Sequence, residues 1–233
     1  MRILPVIVLP VLVVAGLSAC FPVARGPVVS QDREIDTATA VVLETSGDLT
    51  ITEGEPSLVI HAPAAVLERL TADVNDGELV LGVKPGTPGI LLGKIRYELT
   101  LPSLERLEVN GSGDVESDVP GASLEIEING SGDLDIDSID AESVSLDISG
   151  SGDVEFSGRT GELAIAIDGS GEIRADELDA ATVTVDIDGA ADVSVSATDT
   201  LEVSISGSGS VDYSGDPELQ QEISGSGEVT RRD

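Results

Sequence analysis

The side chains of this sequence that could do chemistry are mostly carboxylates. Asp and Glu number 44 against 12 Lys and Arg, a formal net charge of −32, with one His and one Cys. A surface so acidic repels nucleic acid and anionic lipid, and neither fits as a partner. Paired carboxylates can serve as acid and base on a glycosidic bond, but acids recur along most of the chain and no pair stands apart. Bases that would hold an acidic glycan are scarce, since only Arg159 and Arg174 fall between Arg106 and Arg231. Phe156 and Tyr213 fall at inward strand positions, which leaves no aromatic platform for sugar stacking. No enzyme is therefore expected. A carbohydrate-active β-helix enzyme acting on a polysaccharide is the alternative to a non-catalytic binding or structural module.

The other chemical candidates weaken on inspection. His61 stands alone in Val59-Ile60-His61-Ala62-Pro63, and a lone histidine on a strand reads as structural or exposed. One histidine and one cysteine do not make a zinc site. Calcium takes carboxylate and carbonyl oxygens, and Asp114, Asp133 and Asp153 are the residues that would offer them. Their setting is faintly like the nonapeptide calcium repeats of toxins, but those return every nine residues. An acidic, solvated face is the favoured reading, with no cofactor expected. Ser112 and its equivalents read as turn formers, because no G-x-S-x-G elbow stands between a strand and a helix.

What positions these residues is a repeat. Gly-Ser-Gly-Asp-Val starts at Gly111 and returns, lightly edited, at Gly130, Gly150, Gly169, Gly189, Gly207 and Gly225, at intervals of 18 to 20 residues. So short and steady a period marks a solenoid. After the turn at Gly130, Leu134 and Ile136 alternate with acids; after a short connection, Val144, Leu146 and Ile148 alternate with polar residues. Alternation of period two means strands with one apolar face. Superposing repeats places Val115, Leu134, Val154, Ile173, Val193, Val211 and Val229 in one column. Two strands and two turns in about nineteen residues require each coil to pair with the next.

A hairpin meander is the competing arrangement, since Gly-Ser-Gly also makes tight turns. The two connections of each repeat differ in kind, however, one always glycine-rich and the other variable. That favours an all-β parallel β-helix, or β-solenoid, right-handed by the general rule for crossovers. Stacked at about 4.8 Å per coil, six steps give a rod of roughly 29 Å. The first glycine of each phrase is constant, which points to a left-handed or otherwise Cβ-intolerant backbone. The Asn, Ser or Asp before it, from Asn110 to Ser224, is placed to hydrogen-bond the turn.

The chain before the repeats divides in three. Residues 1–19 have the plan of a secretory signal, too short and too interrupted by Pro5 and Pro10 to span a membrane comfortably. Leu17-Ser18-Ala19-Cys20 resembles a bacterial lipobox, so Cys20 is expected to carry lipid and become the mature N-terminus. No disulfide is then available. Residues 20–31, with Pro22, Gly26 and Pro27, read as a tether. Residues 32–233 read as one domain, with 32–110 as irregular first coils closing one end and 111–233 as regular coils; a separate small domain is the alternative for the former. Ser46-Gly47-Asp48-Leu49 is an early relative of the repeat, Ala64 to Ala72 could turn helically, and Pro85 to Gly89 is a loop. After Val229, terminal charges including Arg231 and Arg232 are placed to blunt the open end.

Arg33-Glu34-Ile35, the strand through Asp48-Leu49-Thr50-Ile51, and above all the run from Ile95 to Leu107 leading into Val109-Asn110-Gly111-Ser112-Gly113-Asp114-Val115 carry a resemblance. They are similar to the bacterial head GIN domain (DUF2807), an auto-transporter adhesin domain, over roughly residues 33–229. The resemblance implies a β-helical, exported, often lipid-anchored protein and brings no catalytic residues with it. The expected protein is a lipoprotein held to the cell envelope through Cys20. Its outward columns Ser112, Ser131, Ser151 and Ser170, with the acids beside them, would meet an envelope or surface protein or glycan. Phe21 after the cysteine resembles outer-membrane sorting, if the organism has two membranes.

Overall fold

The computed structural model describes residues 26–87 and 93–232. The signal, the lipobox and Cys20 lie outside them. The regular part begins with strand β10 (Ser123–Gly130) and continues through β11 (Leu134–Gly150), β12 (Val154–Gly169), β13 (Glu172–Gly189) and β14 (Asp192–Gly207). Three shorter strands, β15 (Ser210–Ser214), β16 (Glu218–Gly225) and β17 (Glu228–Arg231), make up the last coil and a half. All of these pair in parallel, each with the equivalent stretch one coil away. Leu134 lies beside Val154, Val154 beside Ile173, Ile173 beside Val193, Val193 beside Val211, and Val211 beside Val229. The meander is thereby excluded, because hairpins would pair these segments antiparallel.

Two aliphatic faces meet inside the coils. Columns such as Ile126, Leu146, Ile165, Val185 and Val203 are all but fully buried, and their outward neighbours are polar except beside Ile165, where Ala164 and Ala166 are exposed. Phe156 is buried in the same interior and Tyr213 is half-buried against it. The variable bend supplies Ile139, Leu178, Ala180 and Ala197 to the core, and there the ladder slips register.

The constant glycine has a reason that neither a single coil nor a single turn reveals. At Gly150 φ is +142°, and an added Cβ would lie 2.1 Å from the carbonyl oxygen of Gly130. The same holds at every first glycine from Gly130 to Gly225, each seated on the glycine below at 1.9–2.2 Å, with φ between +129° and +157°. That backbone region is open essentially to glycine alone. Gly111 starts the column on Thr45, where a Cβ would stand 3.0 Å from a carbonyl oxygen.

Among the described residues, nine strands precede the regular coils: β1 (Val28–Arg33), β2 (Ala40–Leu43), β3 (Asp48–Glu53), β4 (Ser57–Pro63), β5 (Leu70–Asn75), β6 (Glu78–Val83), β7 (Arg96–Leu101), β8 (Arg106–Val109) and β9 (Val115–Ser117). Their spatial order is not the chain order. The β2–β3 coil lies between β6–β7 on one side and β8–β9 on the other, parallel to both. Ser46-Gly47-Asp48-Leu49 does behave as a repeat, since Leu49 pairs with Val115 and Gly113 sits on the carbonyl of Gly47. β4 runs antiparallel between β1 and β7, and β5 forms a hairpin with β6. Between β4 and β5 the single-turn helix α1 (Ala64–Leu67) crosses the end of the rod with Val66 and Leu67 buried.

The strands of this end therefore differ from the expectation in two places. The stretch read as tether to residue 31 becomes strand β1 from Val28, held by its pairing to β4; Pro27 precedes the ladder and does not interrupt it. The helix reaches only Leu67, because Leu70 onward turns back as β5, with Leu70 itself fully buried. One contiguous buried cluster runs from Ala38 to Val211.

Candidate functional site

The outward positions of the first strands build an acid column, and it has an internal logic. Asp133 N donates to Asp114 Oδ1 at 3.4 Å, Asp153 N to Asp133 Oδ1 at 3.3 Å, and Glu172 N to Asp153 Oδ1 at 3.0 Å. Each carboxylate thus accepts the backbone N–H of the coil above, a charge-assisted bond that offsets part of the repulsion between stacked acids. The pattern ends where Ala191 replaces the second glycine. From there the amide bonds the backbone below, Asp192 N to Gly171 O at 3.0 Å and Ser210 N to Ala191 O at 2.9 Å.

Asp114, Asp133 and Asp153 therefore each commit one oxygen to the fold. Among the described residues no group of three or more His, Cys, Asp and Glu side chains gathers as a metal-ligand set. The serine column is exposed as expected. Its amides bond the glycine carbonyls one coil down, Ser151 N to Gly130 O at 2.9 Å, and Ser170 Oγ reaches Ser151 Oγ at 3.3 Å. The residue before the glycine behaves differently from expectation at Asn129. Its Nδ2 donates to Asn110 Oδ1 of the neighbouring coil at 3.1 Å, because stacking brings an equivalent amide closer than the turn.

A second outward column runs Glu116, Asp135, Glu155, Arg174. Partial burial, then the charges of Asp137, Glu155 and Glu116, hold the Asp135 carboxyl above its usual range, and Arg174 opposes them. Arg174 is tied to Glu155 at 3.2 Å and Glu172 at 3.0 Å. On the opposite bend Arg159 forks onto Asp140 at 2.8 and 2.9 Å, which lowers that carboxyl.

His61 proves to be a cross-strand pin. Ser30 Oγ lies 2.9 Å from Nδ1 and Glu98 Oε1 lies 3.1 Å from Nε2, linking β1, β4 and β7. The order serine, histidine, carboxylate invites a catalytic reading. In an antiparallel ladder, however, backbone N–H groups lie in the sheet plane, at right angles to the side chains. The contacts of Ser30, His61 and Glu98 tie the outward faces of β1, β4 and β7 together across that ladder.

One feature of the surface escaped the sequence reading. In the last coil Gln221 takes the core position of Val203, and Arg231 takes that of Val195 and Tyr213. Arg231 reaches Asp216 at 3.1 Å, and Arg232 reaches Asp212 at 2.7 Å. The signal was available: superposing Leu219-Gln220-Gln221-Glu222-Ile223 on Leu201-Glu202-Val203-Ser204-Ile205 puts glutamine in an aliphatic column.

Stacked parallel coils with a closed N-terminal end and polar columns outside define a β-solenoid protein. Residues 38–217 match the family model DUF2807, "Putative auto-transporter adhesin, head GIN domain", and the chain belongs to that family. Its fold is similar to that of a "putative adhesin" from Bacteroides fragilis, with TM-score 0.83 and 24% identity over 89% of this chain and 98% of that one. A "putative lipid binding protein" from Parabacteroides distasonis is similar at TM-score 0.70 and 22% identity, over 89% and 98%. A "putative adhesin" from Parabacteroides merdae gives 0.67 and 21%, over 89% and 97%. No protein of curated function matches the chain.

Proposed function

We propose that this protein is a lipid-anchored module of the cell envelope that binds a surface partner, or braces the envelope, without catalysis. Cys20 of the lipobox would hold it to a membrane, and the short segment before Val28 would give it reach. The observation that carries the reading is the recurrence of outward polar columns, regular from Ser112 to Ser170 and interrupted at Ala190. Equivalent hydroxyls and carboxylates recur from coil to coil with both broad faces open to solvent, a repeated surface suited to a repetitive partner such as a glycan or another envelope protein. Membership in an adhesin-named family supports a surface-exposed, non-enzymatic role.

The test has two parts. Mass spectrometry of the membrane fraction should find a diacylated or triacylated N-terminal Cys20, and an unmodified N-terminus at another residue would refute the anchor. Alanine at Ser112, Ser131, Ser151 and Ser170 together should abolish whichever envelope protein or glycan co-purifies with the parent protein from its own cells. Retention of every partner would count against the columns as the contact surface.

A further inference from the structure

The C-terminal end of the rod is built unlike the other. At the N-terminal end β1 and β5 are sheet edges, but α1 closes the core beneath them. At the C-terminal end, among the described residues, β16 pairs only with β14 and β17 only with β15, and the far edges of both carry N–H and C=O groups without a ladder partner there. In this last described coil the inward side chains are more exposed than their equivalents one coil below. Ile205 is 1% exposed and Ile223, directly above it, 39%; Leu219 is likewise only partly buried.

We propose that the free edge of β16 is a docking site for an extended segment of another protein, one that alternates apolar with basic residues and adds as a further strand. Strand addition supplies backbone bonds along the edge and lets alternate side chains set specificity. Apolar residues on the inward side would cover Leu219 and Ile223, with the Gln221 amide between them available for hydrogen bonding. On the outward side the segment meets Glu218 and Glu222, which make no ion pair among the described residues. The two arginines of this end are already engaged with Asp216 and Asp212. A second copy docked by the same end would set these acids against their own kind. A basic strand is the complement. This site is separate from the outward columns and from the lipid anchor, and its test depends on neither.

The experiment uses the full-length chain in detergent and a fluorescein-labelled nonapeptide alternating lysine and valine, followed by anisotropy at 150 mM NaCl. Binding is expected with protection of amides 218–225 in hydrogen exchange, and an alternating glutamate and valine peptide should not bind. The double variant Glu218→Lys, Glu222→Lys should weaken binding at least tenfold, and Ile223→Gln severalfold. Asp135→Lys with Glu155→Lys, the same charge change on the other sheet, should weaken it less than twofold. All these positions are exposed, and the parent's circular dichroism spectrum with a single cooperative melt would verify that the variants fold. Equal weakening by both double variants would reduce the effect to general attraction and overturn the proposal. So would absence of binding, absence of protection at β16, or self-association of the parent chain that Ile223→Gln abolishes.

Discussion

At the scale of single residues, the glycine column ties sequence to shape most tightly. Gly150 combines φ of +142° with a carbonyl oxygen 2.1 Å from any Cβ, so both strain and collision act against substitution. Gly150→Val should cost more than about 3 kcal/mol, the strain alone being about 1–3, and lower the melting temperature by roughly 6–12 °C. Gly77 is the internal comparison, with φ of +85° but nothing within 4 Å; Gly77→Ala should cost only about 1 kcal/mol. Thermal melts followed by circular dichroism measure both. The acid ladder makes the companion prediction. Asp133→Asn keeps the oxygen that accepts Asp153 N and removes a charge, so melting should stay level or rise. Asp133→Ala loses the acceptor and should cost up to about 1 kcal/mol. With the oxygens so used, adding calcium or a chelator should move the melt by less than about two degrees, at most about 0.5–1 kcal/mol; a larger rise with calcium would mean that the column binds it.

At the scale of strands and coils, like charges in one column must lower stability at neutral pH. The folded-state carboxyl of Asp135 is held above its usual value of 3.8 by burial and by Asp137, Glu155 and Glu116. A raised folded value means that the fold favours the protonated form. Stability is then lost as pH rises through that value and recovered below it. Asp135→Asn should therefore raise the melting temperature at pH 7, with the gain shrinking as acid protonates the Asp135 carboxyl of the parent. Arg174→Gln should do the opposite, releasing Glu155 and Glu172 from their base, and the loss should fade in 1 M salt. The elements that carry these columns were legible in the sequence because period-two alternation and a constant glycine repeat together. The slips at the variable bend were not, since Ile139, Leu178 and Ala197 enter the core from segments with no alternation of their own.

At the scale of the whole molecule, the order of coils was hidden. Val41 lies beside Leu107 and also beside Leu79, which only the folded chain reveals. Nothing in the local pattern of β4 to β7 says that this excursion passes beneath the coil before it. The stacking of the regular coils was legible, as was the early relative at Gly47, because both depend on glycine meeting backbone. The free C-terminal end was half legible: the closing charges were visible, but Gln221 and Arg231 in core columns appear only when coil is laid on coil. Distance across the rod is the most direct test of this stacking. Nitroxide labels at Ser131→Cys and Ser226→Cys, in the protein whose Cys20 is lipidated or replaced by serine, sit five coils apart. Double electron–electron resonance should give a single population near 24 Å between the backbone positions, at about 4.8 Å per coil, broadened by the labels. A broad distribution, or a separation beyond roughly 40 Å, would contradict the stacked rod on which every surface described above depends.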